Sequence, residues 1–472
     1  MKPTITSEVV LAYAQCPRKA YLLLFSPDQG DPHEYVRMLE RQRRDHQTRY
    51  LDRLQQQHID VQPYTVENLH HGRGVLINAY LQADGFAAVC DVLTRGEGAS
   101  MGGTRRYEPT LCLGTHRISN EQKLAMAFAG YLLGRLQHTP PVRGRLIALD
   151  GTSHTVTLDQ SAEDLRPFLD PLQAWTTGAP PAPPPVILNK HCPLCPFQRS
   201  CQTQAEREDN LSLLDGVTAR VMRQYAKKGI FTVTQLSYLF KPRKPRKRGR
   251  RPPPAMHKLE LQALAIREHK TYLQELPAVS RQPVELFLDI EGVPDRQSYY
   301  LIGLLVCQAD TTVHYAFWAD TAQDERHIWQ QFVDKVRQFP DAPIYHYGSY
   351  EPRALAILAK RYETDSEDLI KRLVNVHRYI YGKVYFPVRS NRLKDIGHFL
   401  GAVWTAPNAS GLQSLLWRHH WEQTQEAYYR DVLVTYNRED CQALKAVTDE
   451  LSKIQRSADN LAEVDFADQR KR

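Results

Sequence analysis

The segment KPRKPRKRGRRPPP, residues 241–254, limits how this chain can fold more than any other feature. Proline fixes φ and donates no amide hydrogen bond, and clustered cations repel one another, so no core can include this stretch. The 472 residues therefore divide into separate bodies, as their length also suggests. Residues 241–251 hold eight Lys or Arg and no acid, and the formal net charge of the whole chain is +8, so the remainder balances to zero. Such a block attracts polyanions by counterion release, and we expect a nucleic-acid contact, the plainer alternative being a solvated linker.

An apolar fraction of 42% and a charged fraction of 24% are ordinary for a soluble protein. No stretch approaches the roughly 18 apolar residues of a membrane span, and MKPTITSEVV lacks the apolar core of a signal peptide. A cytoplasmic location is expected, and with it no disulfides among the eight cysteines. Cys90, Cys112, Cys307 and Cys441 stand singly in apolar or helical patterns and read as small core residues.

Ahead of the break, helices are expected over 8–24, 34–57 and 121–137, and strands over 75–81, 86–93 and 110–113. APPAPPP (179–185) must be extended. Two short helices flank Lys228-Gly229 within 211–239. Behind the break, a polar helix over 258–275 leads into strand, strand, strand, helix, strand and helices through residue 452, an order that suits an α/β domain.

VELFLDIEG (284–292) is an apolar strand carrying two acids, Asp289 and Glu291, spaced two apart and so on one face. Two anions in an apolar strand are costly unless a cation compensates, and a hard divalent ion suits carboxylate oxygens. IYHYGSYEPRAL (344–355) adds Glu351 at a helix start. VTYNREDCQAL (434–444) puts Tyr436 and Asp440 on one helical face, four apart. That spacing lets Asp440 reach a metal while the Tyr436 hydroxyl points at an attacking water.

Residues 284–450 resemble the tyrosine variant of the DEDD exonucleases, an RNase H-like fold, and among them the YprB-type RNase H-like domain. Asp289 and Glu291 match the D-x-E motif, and Tyr436 with Asp440 the Y-x-x-x-D motif. The middle motif of that family carries aspartate where the best candidate here is Glu351; Asp395, in RLKDIGHFLG, is the competing third ligand. The resemblance implies two Mg²⁺ or Mn²⁺ ions per site, bridged by Asp289, with Glu291 and Asp440 completing their shells. Tyr436 would orient the water or help remove its proton, and the product would be a 5′-nucleotide.

Cys16 stands at the foot of a helix, and HCPLCPFQRSC (191–201) supplies Cys192, Cys195 and Cys201. A structural zinc, the alternative, usually takes its cysteines as two close pairs. One distant cysteine plus a cluster of three resembles the iron–sulfur nucleases of the RecB-like superfamily, those of CRISPR adaptation and of the AddAB complex. There a [4Fe–4S] cluster staples the ends of a PD-(D/E)XK-like nuclease domain. The same resemblance makes His46 and Asp91 metal-ligand candidates. It also requires an acid and a lysine on the strand YEPTLCLG (107–114), where Leu111 and Leu113 stand instead, with only Glu108 nearby and Lys123 on the next helix. A fold with a compromised or dead site, kept as a DNA-binding platform, is expected. His70 and His71 read as loop residues.

LLDGVTARVMRQYAKKGIFTVTQLSYL (213–239) resembles a helix–hairpin–helix unit, which would bind a DNA phosphate through backbone amides at its turn; it could equally be a packing unit. The chain as a whole thus resembles RecB-like nucleases that carry a C-terminal RNase H-like domain. Its expected organisation is 1–205, a RecB-like iron–sulfur domain; 206–240, a helix–hairpin–helix module; 241–282, a basic linker and helix; 283–455, a 3′–5′ exonuclease domain; and 456–472, a charged tail. The expected partner is nucleic acid, DNA ahead of RNA. The alternatives are a catalytically inactive nucleic-acid-binding adaptor and an RNA-directed exonuclease.

Overall fold

Alternating apolar residues seed a separate sheet in each of the two units into which the chain divides, Met1–Gln204 and Ala205–Arg472. The computed structural model describes residues 3–57, 60–72, 74–96, 106–241 and 256–454. Most of the basic break, 242–255, and the expected tail, 456–472, lie outside the described residues.

The first unit contains strands β1 (Ile5–Thr6), β2 (Val61–Pro63), β3 (Val75–Ala83), β4 (Phe86–Arg95), β5 (Tyr107–Cys112), β6 (Arg143–Ile147) and β7 (Ser153–Thr157). They form a seven-stranded sheet in the order β2-β3-β4-β5-β6-β7, with β1 added parallel to β4. Its helices are α1 (Ser7–Gln15), α2 (Pro17–Phe25), α3 (Glu34–Gln56), α4 (Val66–His71), α5 (Asn120–Leu136) and α6 (Ser161–Thr177); α7 (Gln198–Arg207) follows. A capping box of Ser119 and Gln122 starts α5, which buries Met126, Phe128, Ala129, Leu132 and Leu133.

Two expectations are corrected here. The single helix over 8–24 is two helices, because Cys16 is extended (φ −164°, ψ 110°), as a residue before proline prefers, and Pro17 opens α2. His70 and His71 belong to the last turn of α4 rather than to a loop, with Thr65 capping its start.

The second unit continues with α8 (Ala219–Ala226), α9 (Val233–Ser237) and α10 (Leu259–Glu268). Between the first two, Gly229 sits at φ +74°, a left-handed turn that glycine adopts without strain. Thr232 and Gln235 then form a capping box on α9. The helix expected over 258–275 stops early: His269 takes a left-handed cap, and Tyr272–Leu273 become strand β8.

Strands β9 (Val284–Val293), β10 (Ser298–Gln308), β11 (Thr311–Trp318), β12 (Ile344–His346), β13 (Leu373–Asn375) and β14 (Val384–Tyr385) follow. Helices α11 (Glu325–Arg337), α12 (Tyr350–Arg361), α13 (Glu367–Lys371), α14 (His377–Ile380), α15 (Leu393–Phe399), α16 (Gly411–Thr424) and α17 (Ala427–Lys453) complete the unit. The main sheet runs β11-β10-β9-β12-β13, antiparallel across its first three strands and parallel across β9, β12 and β13, while β8 pairs with β14. The period of two sorts β9 cleanly: Leu286, Leu288 and Ile290 enter one core, while Phe287 enters another, on the face that Asp289 and Glu291 also take. Helix α17 packs on β9 and β10 through Leu433, Tyr436, Asn437, Asp440, Cys441, Leu444, Val447 and Leu451, one stripe at helical spacing. Among the described residues no helix is long and apolar enough to cross a membrane.

Candidate active site

Strand β9 and helix α17 bring three carboxylates to one point. Each of Asp289, Glu291 and Asp440 offers an oxygen within 4.8 Å of the others, and Glu291 and Asp440 are buried. Burial pushes all three carboxyls above the usual carboxylate range, Asp289 well above it, Glu291 up to about 8 and Asp440 up to about 6; neighbouring acids add to the rise at Asp289 and Glu291, while Lys394 and the Trp404 and Tyr436 hydrogen bonds draw Asp440 partway back. A bound cation could offset the cost that burial puts on these negative charges.

Neighbouring donors aim each acid. The Asn437 amide donates to Asp289 Oδ2 at 2.7 Å, Ser414 Oγ to Glu291 Oε2 at 2.8 Å, and Trp404 Nε1 to Asp440 Oδ1 at 2.7 Å. Tyr436, one turn before Asp440, hydrogen-bonds to it, and burial raises its own hydroxyl far above the tyrosine range, so it keeps its proton. Lys394, at the start of α15, lies 4.5 Å from the Tyr436 ring centroid and 5.2 Å from that of Trp404, and its amine donates to the Ala409 carbonyl. Burial lowers its pKa, while Asp440, Glu291 and Asp289 pull it back up.

Glu351 lies on the first turn of α12, 6% exposed, outside the three-carboxylate group, though Asp289 and Glu291 feel its charge. Asp395, the competing candidate, accepts from the Ser390 hydroxyl and is not in the group. Sequence reasoning missed Asn437, Ser414, Trp404 and Lys394. One of them had a readable signal. Asn437 sits inside the Y-x-x-x-D motif, and Gly303 interrupts the apolar strand β10 where another group must approach closely. An added Cβ at Gly303 would stand 1.7 Å from Asn437 Oδ1.

In the first unit, Cys16, between α1 and α2, lines one pocket with Cys192, Cys195 and Cys201. All four are free thiols, and burial raises the pKa of the last three. Cys90 and Cys112 are buried and Cys307 half-buried; Cys441 is buried on the packed face of α17.

His46 is buried, at 1% exposure, not on the exposed face of α3; its Nδ1 lies 2.8 Å from the Leu113 carbonyl, and its Nε2 has no partner. Asp91 accepts the Cys112 amide at 2.6 Å and faces Arg43 at 3.4 Å. Burial raises its pKa, and those two groups draw it partway back. Glu108 is engaged by Arg143 and Arg145, and Lys123 is exposed on α5. Leu111 and Leu113 line the same pocket as Asp91 and Arg43, with no lysine among the lining residues. Arg43 thus offsets part of the Asp91 charge.

Comparison with known proteins agrees with the geometry of the second unit. Residues 286–452 match the RNase_H_2 family model, of the RNase H superfamily, and the match spans all three clustered acids, Glu351 and Tyr436. No curated protein matches the chain. Residues 286–452 form an RNase H-like domain, a fold of metal-dependent nucleases, around the acidic triad that such chemistry requires.

Proposed function

We propose that the protein is a metal-dependent nuclease that hydrolyses phosphodiester bonds at the β9–α17 site, working as a 3′–5′ exonuclease on DNA. The observation that carries this reading is the meeting of Asp289, Glu291 and Asp440 within 4.8 Å, with Tyr436 bonded to Asp440. Oxygen-only donors suit Mg²⁺ or Mn²⁺, and Asp289, Glu291 and Asp440 would hold such an ion, with Glu351 close by. When bound, the ion supplies an activated water and neutralises charge on the phosphate. The residues do the positioning. Asn437, Ser414 and Trp404 fix the carboxylate orientations, and Tyr436, which keeps its proton, orients the water rather than deprotonating it. Lys394, over the Tyr436 ring and within the field of the three acids, would add a cation to the site.

For the first unit we propose a RecB-like, PD-(D/E)XK-type fold whose own site is silent, held together by a [4Fe–4S] cluster on Cys16, Cys192, Cys195 and Cys201. Supporting this, the four thiols line one pocket. The α8–α9 pair and the basic segment would hold the nucleic-acid backbone.

The test is degradation of 3′- and 5′-labelled single-stranded DNA and RNA with Mn²⁺ by anaerobically purified protein, alongside Asp289→Ala and Asp91→Ala. Shortening from the 3′ end that vanishes only in Asp289→Ala supports the reading; loss only in Asp91→Ala moves the chemistry to the first unit. Tight binding without cleavage would make the protein an adaptor.

A further inference from the structure

We propose that Arg18 is the donor that compensates the charge of the cysteine site in the first unit and sets the reduction potential of the cluster held there. The inference rests on the cluster reading of that site and adds a positioning residue that is not one of its ligands.

The pocket selects for an anionic occupant. Alongside Cys16, Cys192, Cys195 and Cys201 it is lined by Arg18 and Lys19, and no acid is among its lining residues. Four thiolates outweigh the positive charge of an iron–sulfide core, so the liganded centre is an anion in a half-buried place, which two nearby cations offset.

Arg18 is held for that task. Pro17 opens α2 directly after Cys16, so residue 18 lies in the first turn, beside a ligand. Its Nη1 donates to the Pro184 carbonyl and its Nη2 to Gln204 Oε1, each at 2.7 Å. These bonds fix the planar guanidinium between the extended proline segment and α7. Burial raises the Cys201 thiol, and the charge of Arg18 together with a hydrogen bond from its side chain draws that thiol partway back. Arg18 Nε is nevertheless buried without a partner. An unmet donor on a buried cation is costly, and the sulfides of a cluster beside Cys201 are the acceptors it lacks. Lys19, by contrast, donates to Gln15 Oε1 at 3.3 Å. The Asn189 amide donates to Cys192 Sγ at 3.2 Å, and a Phe197 backbone hydrogen bond acts on Cys195. Those two donors are neutral, whereas Arg18 brings a full charge. Reduction adds one electron and so one more negative charge to the centre, which a fixed cation stabilises; Arg18 therefore raises the potential.

The test is anaerobic titration of the full-length protein with dithionite in wild type, Arg18→Gln and Arg18→Lys, with iron and sulfide analysis confirming equal loading. At the potential where wild type is half reduced, Arg18→Gln is expected to be less than about one-tenth reduced, a roughly tenfold change in the ratio for one lost charge-assisted bond. Arg18→Lys should fall between the two. Pulsed electron paramagnetic resonance of the reduced wild-type cluster, in protein labelled with ¹⁵N-arginine, should show a ¹⁵N coupling that Arg18→Lys lacks. Unchanged reduction in Arg18→Gln, no ¹⁵N coupling in wild type, or a coupling that persists in Arg18→Lys would overturn the inference and leave the cluster reading standing. The wild-type coupling decides the question even if Arg18→Gln fails to fold or to load. Absence of iron and sulfide from anaerobic wild type would remove both.

Discussion

Asn437 donates its side-chain amide to Asp289 Oδ2 at 2.7 Å and to the Asp289 carbonyl at 3.1 Å, across 148 positions of sequence. Its own carbonyl oxygen faces His314 Nε2 at 3.1 Å, which assigns the imidazole proton to that nitrogen. His314 is kept neutral by burial, so the relay from β11 through α17 to β9 is a chain of dipoles that orients the acid without adding charge.

Removing the relay tests its purpose. Asn437→Ala is expected to lower nuclease turnover by about 10–100-fold, the usual cost of losing a group that orients a metal ligand, with a folded protein by circular dichroism. Gly303→Ala should reproduce the loss without touching any acid, because the new methyl would occupy the space of Asn437 Oδ1. Equal turnover in wild type and Gly303→Ala would show that Asn437 does not set the Asp289 geometry.

Asp289→Asn separates activity from stability. Turnover should fall by at least about 100-fold, as for the loss of a principal charge-stabilising group. Without divalent metal and at alkaline pH, where these carboxyls lose their protons, the variant should nonetheless melt a few degrees higher, since it removes one of three mutually repelling carboxylates from a buried site. A melting temperature below wild type would contradict the account of stored repulsion.

The pH dependence follows from the raised carboxyls. A folded-state pKa above the unfolded value means the native state binds more protons, so this contribution to stability is full below about pH 4 and declines as pH rises. For Asp440 the decline runs through about 6 and for Glu291 through about 8. Protons and metal compete for the same oxygens. The melting-temperature gain produced by Mn²⁺ should therefore grow between pH 5.5 and 8, and differential scanning fluorimetry at fixed Mn²⁺ would read it. A gain that shrinks with pH would refute the assignment of metal to these acids.

Anaerobic preparations should contain about four iron and four sulfide per chain if the cysteines carry the proposed cluster. Cys195→Ala should lose the visible absorbance of the cluster and lower the melting temperature of the first unit, while leaving Mn²⁺ binding at the acidic triad unchanged. Zinc in place of iron, by elemental analysis of the same preparations, would replace the cluster with the simpler site.

Much of the triad was legible because its signals are local. A two-residue period places Asp289 and Glu291 on one face of β9, and a four-residue period aligns Tyr436 with Asp440 on α17. What was not legible depends on distant pairings. Ser414 reaches Glu291 from 123 positions away and Trp404 reaches Asp440 from 36, and no periodicity encodes either contact. Local reading also failed where one residue overrode the pattern, as at Cys16, where the following proline splits a helix, and at His269, where a left-handed cap releases the chain into β8. The burial of His46 could not be read from a helix as polar as α3, because the sheet covering it is a tertiary fact.

The missing side chain at position 303 ties two distant codons together. Any residue larger than glycine there excludes the amide at 437, and the amide has value only while 289 is an acid that needs aiming. Substitutions at the three positions should therefore be inherited together across relatives of this chain. A lineage that releases its acid is free to fill the cleft at 303, so a bulky residue at that one position would mark descendants that have abandoned catalysis.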